Sequence, residues 1–217
     1  MSGQPRAGTM YKTDEELEAT ARGFLRKLGL EHQVRPDMMT IISKLKHLDR
    51  SFKYRRARDA EMPDAEAQWS SNDTEIRMRE SVFAAMQRGE ARARMTVSHE
   101  LSHYLLKHEG QLNRSQVKSA AEVSVRRIVN QESEARRLAP RILAPEHLVP
   151  EGASIEDIMT SFGLSHEAAA IRKDEIEGIR RRRRGEKRPL PQSIIDFLKE
   201  AKRRGHAVRT DLGDDDQ

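Results

Sequence analysis

The chain has 217 residues, of which 36% are apolar, 4% aromatic and 35% charged, and its net charge at neutral pH is +5. This length suits one domain of ordinary size with extensions, or two small domains, and the composition allows a modest core with much of the chain as solvated helix surface or tail. Cysteine is absent, which excludes disulfides, thiolate metal sites and cysteine nucleophiles. No apolar run approaches the roughly 20 residues that cross a bilayer, and the first residues do not resemble a secretory signal, so we expect a cytoplasmic protein.

The N-terminal part of the chain is expected to be helical after a disordered stretch over residues 1–12. Thr13 and Glu16 have the spacing of a capping box, which predicts a helix that ends near Gly29. Pro36 and Asp37 open a second helix, whose apolar residues we assign to the core. Because Gly and Pro are sparse and strong helix formers abound, the whole chain is predicted to be mostly α.

The middle of the chain lacks the helical periodicity of the N-terminal part. From Phe52 to Asp64 it is polar and no element is predicted. Over residues 66–94, the apolar side chains Trp69, Ile76, Met78, Val82 and Phe83 alternate in part with polar ones. This alternation predicts one or more short strands, with Trp69 packed in the core or along an edge strand.

Residues 95–106 read MTVSHELSHYLL, and they are predicted to lie on a helix running from about Thr96 to His108. His99 and His103 are four residues apart, so both imidazoles lie on one helical face and can bind a single metal ion. Glu100 is about 100° around the helix, where it can reach a metal-bound water without binding the metal. Zinc would lower the pKa of that water, and Glu100 would take its proton as a general base.

Such a site needs a third protein ligand. The histidine that a metzincin carries six residues after the second motif histidine is absent, since Glu109 stands there. A gluzincin takes a glutamate from a later helix, and a helix is predicted over residues 116–139, ending or kinking at its following proline. Glu122, Glu132 and Glu134 all lie on it, and spacing alone does not choose among them.

The chain after residue 150 is predicted to be helical as well. Ser154 and Asp157 form a second capping box, and Ser165 caps a further helix that reaches Ile179. Residues 151–179 therefore resemble a helix-turn-helix in their arrangement of two helices and a turn. The second of these helices begins without the Arg, Asn or Gln side chains that read bases, so we assign the pair to packing or partner binding.

A basic run follows, and its arginines are candidate phosphate contacts for nucleic acid: Arg180, Arg181, Arg182, Arg183 and Arg184. Residues 180–217 are predicted to form a basic linker, a short helix near Gln192 to Arg204, and a disordered acidic end. The competing interpretation of this run is a solvated tail that aids solubility.

Residues 95–106 resemble the ImmA/IrrE family of metallopeptidases, whose active-site block has the form R-x-T-[IVL]-[AS]-H-E-[LI]-[GS]-H-x-L-L. The resemblance continues at residues 134–139 and 142–145, which are similar to the family's E-A-N-x-F-A-x-x-L-L-M-P, and at residues 155–169. It covers roughly residues 15–175, with specific motifs only in the second half. The chain departs from the pattern at Lys107, Arg136, Leu138 and Pro140.

The resemblance implies an α+β, mostly helical fold: a minimal zincin-like domain over residues 13–150 with a small sheet of about three strands, followed by a helical extension. It implies that His99, His103 and Glu134 are the metal ligands and that Glu100 is the catalytic base, with Glu132 as the alternative third ligand. The expected metal is Zn²⁺, and Mn²⁺ suits the same ligands. A sheet edge around Trp69 to Phe83 is expected to pair with an extended substrate strand.

The function that the resemblance implies is a zinc endopeptidase that cleaves a protein partner, a helix-turn-helix repressor of a stress response or mobile element. One alternative is a catalytically weak zincin that regulates a repressor or toxin by binding it. Another is a nucleic-acid-binding protein that acts through its basic tail. His108 is interpreted as a polar residue at a helix end, with a transition-state stabiliser or a group behind the metal ligands as the functional alternatives. No role is assigned to the other histidines: His32, His47, His147, His166 and His206.

Overall fold

The computed structural model describes residues 11–108, 120–187 and 190–207, except for the side chains of residues 120–124 and 126. The predicted disorder of residues 1–10 and of the acidic end, and the predicted helix start at Gln116, lie outside the described residues. The chain divides into two compact units, Met1–Ile176 and Glu177–Gln217.

Over its described residues the chain is mostly helical with one small sheet, which confirms the predicted α+β class. The helices are α1 (Asp14–Lys27), α2 (Met38–Leu48), α3 (Glu80–Gln87), α4 (Ala91–Leu105), α5 (Ala120–Leu143), α6 (Ile155–Phe162), α7 (His166–Arg183) and α8 (Gln192–Arg203). The strands are β1 (Lys53–Ala57), β2 (Ala67–Ser70) and β3 (Glu75–Arg79). None of the described helices is both long enough and apolar enough to span a membrane.

The predicted helix starts are confirmed at three caps. Thr13 and Glu16 form a reciprocal capping box at α1, and Ser154 and Asp157 form another at α6. The Asp37 side chain accepts the Thr40 N–H at the start of α2. Each cap satisfies a backbone donor that the first helical turn leaves without a partner.

The sheet has the order β1–β3–β2, with β1 parallel to β3 and β2 antiparallel to it. The central strand β3 buries Ile76 and Met78 completely, and both edge strands flank it. The predicted strands around Trp69 and Ile76 are confirmed, but the strand prediction was wrong for Val82 and Phe83, which lie on α3. Strand β1 was not predicted. The alternation in β1 is hidden because three of the five residues in KYRRA are charged and most of its side chains are exposed.

The core of the first unit joins the sheet and the motif helices α4 and α5 to buried side chains of α1, α2 and α6. Helix α4 packs against α5, α3 and β2. The buried Ser98 hydroxyl of α4 donates to the Ala139 carbonyl of α5 at 3.0 Å. Small side chains let the two helices approach closely, and α5 continues through Pro140 to Leu143. This contact places α5 directly beside the HELSH face.

A second contact between elements is ionic, and we call it the charge network: Asp14, Glu18, Arg137, Arg141, Arg172 and Glu175. It joins α1, α5 and the first part of α7. The side chains of Arg141 and Arg172 are fully buried, and burial lowers the pKa of Arg141. Three carboxylates face three guanidiniums, so the network is balanced in charge.

A buried arginine of α4 holds the end of α6. Arg94 is 2% exposed and donates through Nη1 to the Phe162 carbonyl at 2.6 Å and to the Gly163 carbonyl at 3.2 Å. Burial lowers the pKa of Arg94 to about 10. Gly163 adopts the left-handed conformation that ends α6, with φ of 66°. The helical extension is thereby anchored to the motif helix.

Candidate metal centre

Helix α4 presents His99, Glu100 and His103 as the spacing predicts. The Nε2 atoms of His99 and His103 lie 3.1 Å apart, so the two imidazoles converge on one point. The side chain of His99 is 22% exposed and that of His103 is 11% exposed. Both rings are therefore open enough to receive an ion from one side and are held by packing on the other.

The third group at this point is Glu132 of α5. Its Oε2 lies 3.3 Å from His99 Nε2, and its Oε1 lies 3.4 Å from His103 Nε2. Among the described residues, His99, His103 and Glu132 form a group of metal-ligating side chains whose ligand atoms lie within 4.8 Å of one another. Glu122, another glutamate on α5, lies where side chains are not described.

The spacing of these donor atoms suits a small tetrahedral ion. Zinc bonds to imidazole nitrogen and carboxylate oxygen are roughly 2.0–2.1 Å long, which puts two ligands of a tetrahedral ion about 3.3 Å apart. The three observed separations of 3.1, 3.3 and 3.4 Å are close to that value. Two neutral imidazoles and one carboxylate are also a donor set that zinc and manganese accept.

Glu134, expected as the third ligand from the resemblance, lies elsewhere. Its Oε2 is 3.2 Å from His108 Nε2, and its Oε1 accepts the Lys12 backbone N–H at 3.0 Å. Two residues along a helix turn the side chain by about 200°, so Glu132 and Glu134 cannot face the same point on α4. The structure therefore brings the alternative, Glu132, to the two histidines and brings Glu134 to His108.

The protonation of the cluster follows from burial and charge. Burial, and next the neighbouring His99, lower the pKa of His103 to about 4, which keeps its ring neutral and able to bind a metal. A hydrogen bond with His99 holds the pKa of Glu132 below its usual value. Both groups are thus in the state that coordination requires at neutral pH.

Glu100 lies beside the cluster and is held by the sheet. Its Oε2 accepts the Trp69 backbone N–H of β2 at 2.6 Å, and burial raises the pKa of its carboxyl. A carboxylate with a raised pKa accepts a proton more readily near neutral pH than an ordinary one. Trp69 in turn packs edge-on against Tyr104, with ring centroids 5.4 Å apart, and this confirms its predicted packing role.

A cleft of about 560 Å³ opens over the cluster, lined in part by His99, Glu100 and Glu132. Its walls combine apolar side chains with two arginines: Ala91, Met95, Ala168, Arg92 and Arg136. Arg92 is paired with Glu66 at 2.6 Å, while Arg136 is exposed. The cleft is large enough to admit an extended peptide side chain to the histidine face.

The arginine run differs in structure from the predicted linker, because its first four residues continue α7 to Arg183. Arg181 lies 3.9 Å from Glu177, and Arg184 lies 2.6 Å from Glu186, so these two charges are partly offset locally. Nucleic-acid contact by this run stays a prediction.

Comparisons with known proteins add little to this geometry. No known protein family matches the chain, and no curated protein matches its sequence. Among solved structures the chain is similar to a Mycobacterium tuberculosis transcriptional regulator, with a TM-score of 0.47 and 14% identity. The match covers 75% of this chain and 47% of that one, so the chain spans about half the length of this neighbour. A likeness this distant supports no inference about function.

Proposed function

We propose that the protein is a metal-dependent endopeptidase whose metal is held by His99, His103 and Glu132. The observation that carries the proposal is the convergence of these three side chains, with separations that match a tetrahedral ion. The neighbouring carboxylate of Glu100, held out of the ligand set by Trp69, is the second support. Two surface histidines on an ordinary amphipathic helix would not need a carboxylate from another helix at this distance.

The reaction would be hydrolysis of a peptide bond. When bound, Zn²⁺ or Mn²⁺ would polarise the peptide carbonyl and make a water more acidic. Glu100 accepts a proton from the attacking water, whose oxygen adds to the carbonyl carbon. As the carbon–nitrogen bond breaks, the protonated Glu100 donates that proton to the leaving amine, which regenerates its carboxylate.

The substrate would be an extended segment of a protein. Strand β2 is an edge of the sheet and lies against α4, next to the cleft. Edge strands bind extended peptides through backbone hydrogen bonds. The mixed lining of the cleft would accept an apolar or acidic side chain, since Met95 and the exposed Arg136 both border it.

The ImmA/IrrE resemblance suggests that the partner is a helix-turn-helix transcriptional repressor. A zincin-like regulator that binds such a partner without cutting it is the alternative, favoured by Arg136 at a position where that family has asparagine. The endopeptidase and the binding regulator share the metal site. They differ in that only the endopeptidase cuts its partner, in a reaction that depends on Glu100.

Metal content tests the site. Purified wild type is compared with Glu132→Ala, Glu134→Ala and Glu100→Gln after equilibration with zinc at neutral pH. We expect about one zinc per chain in wild type and Glu100→Gln, and loss of zinc in Glu132→Ala. A wild type without zinc would refute the proposal.

Proteolysis tests the activity. Zinc-loaded wild type and Glu100→Gln are incubated separately with a lysate of the source cells, and new protein N-termini are labelled and identified by mass spectrometry. Termini produced by wild type alone would identify the substrate. If zinc binds and no Glu100-dependent terminus appears, the non-cutting regulator is the better interpretation.

A further inference from the structure

A chain of hydrogen bonds runs behind the candidate metal centre, on the side of His103 that faces away from the cleft. His103 Nδ1 lies 3.0 Å from His108 Nδ1, and His108 Nε2 lies 3.2 Å from Glu134 Oε2. The other oxygen of Glu134 accepts the Lys12 backbone N–H. The side chains of His103 on α4, His108 in the turn that follows α4, and Glu134 on α5, together with one backbone amide, thus form a single line that ends at a proposed metal ligand.

His108 reaches this position because of the way α4 ends. Lys107 adopts a left-handed conformation with φ of 54°, and the His108 N–H bonds the His103 carbonyl at 3.0 Å, as in a Schellman motif. The chain therefore folds back, and the His108 ring lies beside His103 with 5% of its side chain exposed. Trp69 Nε1 donates to the His108 carbonyl at 3.3 Å and holds the turn from the sheet side.

Like His108, Glu134 is largely buried, and both oxygens of its carboxylate are hydrogen-bonded. Its side chain is 13% exposed. The Lys12 amide that binds it is fixed in turn, because Arg137 donates to the Lys12 carbonyl at 2.8 Å and lies 4.6 Å from the Tyr11 ring centroid. The far end of the line is therefore anchored to α5 and to the segment that precedes α1.

Coordination would set the direction of every hydrogen bond in this line. If His103 Nε2 binds the ion, its Nδ1 carries the proton and donates to His108 Nδ1. His108 is then protonated on Nε2, which donates to the carboxylate of Glu134. Both rings are neutral and every donor meets an acceptor, so the arrangement needs no rearrangement when the ion binds.

We propose that His108 and Glu134 are positioning residues that orient His103 and tune its strength as a metal ligand. The inference rests on the proposed function, because it needs the metal. Groups behind a ligating histidine fix its tautomer and ring orientation, and their loss typically weakens metal binding by about 10- to 100-fold. The glutamate that the family resemblance indicates as a ligand is thereby given a different task, one step behind the ligands.

The test measures zinc affinity by competition with a chromogenic chelator for Glu134→Gln, His108→Leu and the double variant. His47→Gln, an exposed histidine on α2, is the matched control. We expect zinc dissociation constants about 10-fold higher for Glu134→Gln and up to about 100-fold higher for His108→Leu, and no change for the control. Because both residues act through one line, the double variant is expected to be no weaker than His108→Leu alone.

Cobalt-loaded protein supplies a second readout that a merely structural role would not change. The visible absorption bands of Co²⁺ report its coordination geometry, so both variants are expected to shift them while still binding the ion. Thermal melting of the metal-free proteins checks that each variant folds. Should His108→Leu fail to fold, the nearly isosteric Glu134→Gln carries the test.

Three outcomes would overturn the proposal, and they are distinguishable. Folded variants that bind zinc within about two-fold of wild type would show that the line does not act on the metal. Zinc loss in Glu134→Gln as complete as in Glu132→Ala would make Glu134 a ligand. A wild type that binds no zinc would remove the proposed function and this inference with it.

Discussion

The charge network offers a sharp test of how α5 is held in place, through the single substitution Glu18→Gln. The Glu18 carboxylate binds Arg172 Nη2, lies 3.3 Å from Arg141 Nε and accepts the Glu146 backbone N–H at 3.2 Å. Both guanidiniums are fully buried. The substitution keeps the size of the side chain and removes one negative charge, so the two buried guanidiniums lose one of their carboxylate partners and the network is left with a net positive charge.

Removing one partner of a buried ion pair typically costs 3–5 kcal/mol. The amide oxygen of glutamine can still accept the Glu146 N–H, and Glu175 remains 3.2 Å from Arg172. The cost should therefore be at the lower end of that energy range. We therefore expect the free energy of unfolding to fall by about 3 kcal/mol. For a chain of this size, that corresponds to a melting temperature lowered by roughly 6–12 °C.

Urea denaturation followed by circular dichroism measures the loss, with Glu167→Gln on the exposed face of α7 as the control. The control is expected to change stability by less than about 0.5 kcal/mol. The double variant Glu18→Gln/Arg172→Met restores the charge balance, so it should lose less stability than the sum of the two single variants. A loss below about 1 kcal/mol for Glu18→Gln, or strict additivity in the double variant, would refute this reasoning.

Three further substitutions test local geometry. In Gly163→Ala the new Cβ would overlap the Arg94 guanidinium, so denaturant titrations should show a loss of stability of about 2–4 kcal/mol. Gly152→Ala is the control, because its φ is also positive but the space around it is open, and it should lose about 1 kcal/mol. Lys107→Gly removes a left-handed non-glycine residue and should raise the unfolding free energy by up to about 1 kcal/mol, whereas Lys107→Val should lower it. Hydrogen bonds from Arg26 lower the pKa of Glu31 from 4.5 to about 2. The stabilisation of the fold by the ionised Glu31 is therefore complete above pH 4.5 and is lost as the pH falls toward 2. Glu31→Gln should lose less stability than wild type when both are titrated with acid across that window.

Much of the scaffold could be predicted because its signals are local. Capping boxes and apolar periodicity depend on residues within a few positions of one another, which is why α1, α2 and α6 begin where the sequence indicates. Strand β1 could not be found in this way, since its charged side chains leave no alternation. It exists because β3 offers it a parallel partner 22 residues further along the chain.

The candidate metal site likewise has one part that local sequence predicts and another that depends on tertiary packing. His99, Glu100 and His103 follow from the spacing of one helix, whereas the choice between Glu132 and Glu134 depends on the rotation of α5 against α4. That rotation is set by the Ser98 contact with Ala139 and by the charge network, neither of which leaves a pattern in the sequence. The His108 turn is equally hidden, because Lys107 is not a residue that commonly marks a left-handed helix end.

Trp69 connects the proposed substrate edge to the proposed catalytic base. Its backbone N–H points away from β3 and donates to Glu100, so this donor cannot at the same time pair with a substrate strand on β2. A peptide that binds along β2 must either leave the Trp69 N–H to Glu100 or take it over. In the second case, arrival of the substrate would free the Glu100 carboxylate to turn toward the attacking water, and cutting would depend on occupation of the edge. A crystal structure with a peptide inhibitor bound on β2 distinguishes the two by the partner of the Trp69 N–H.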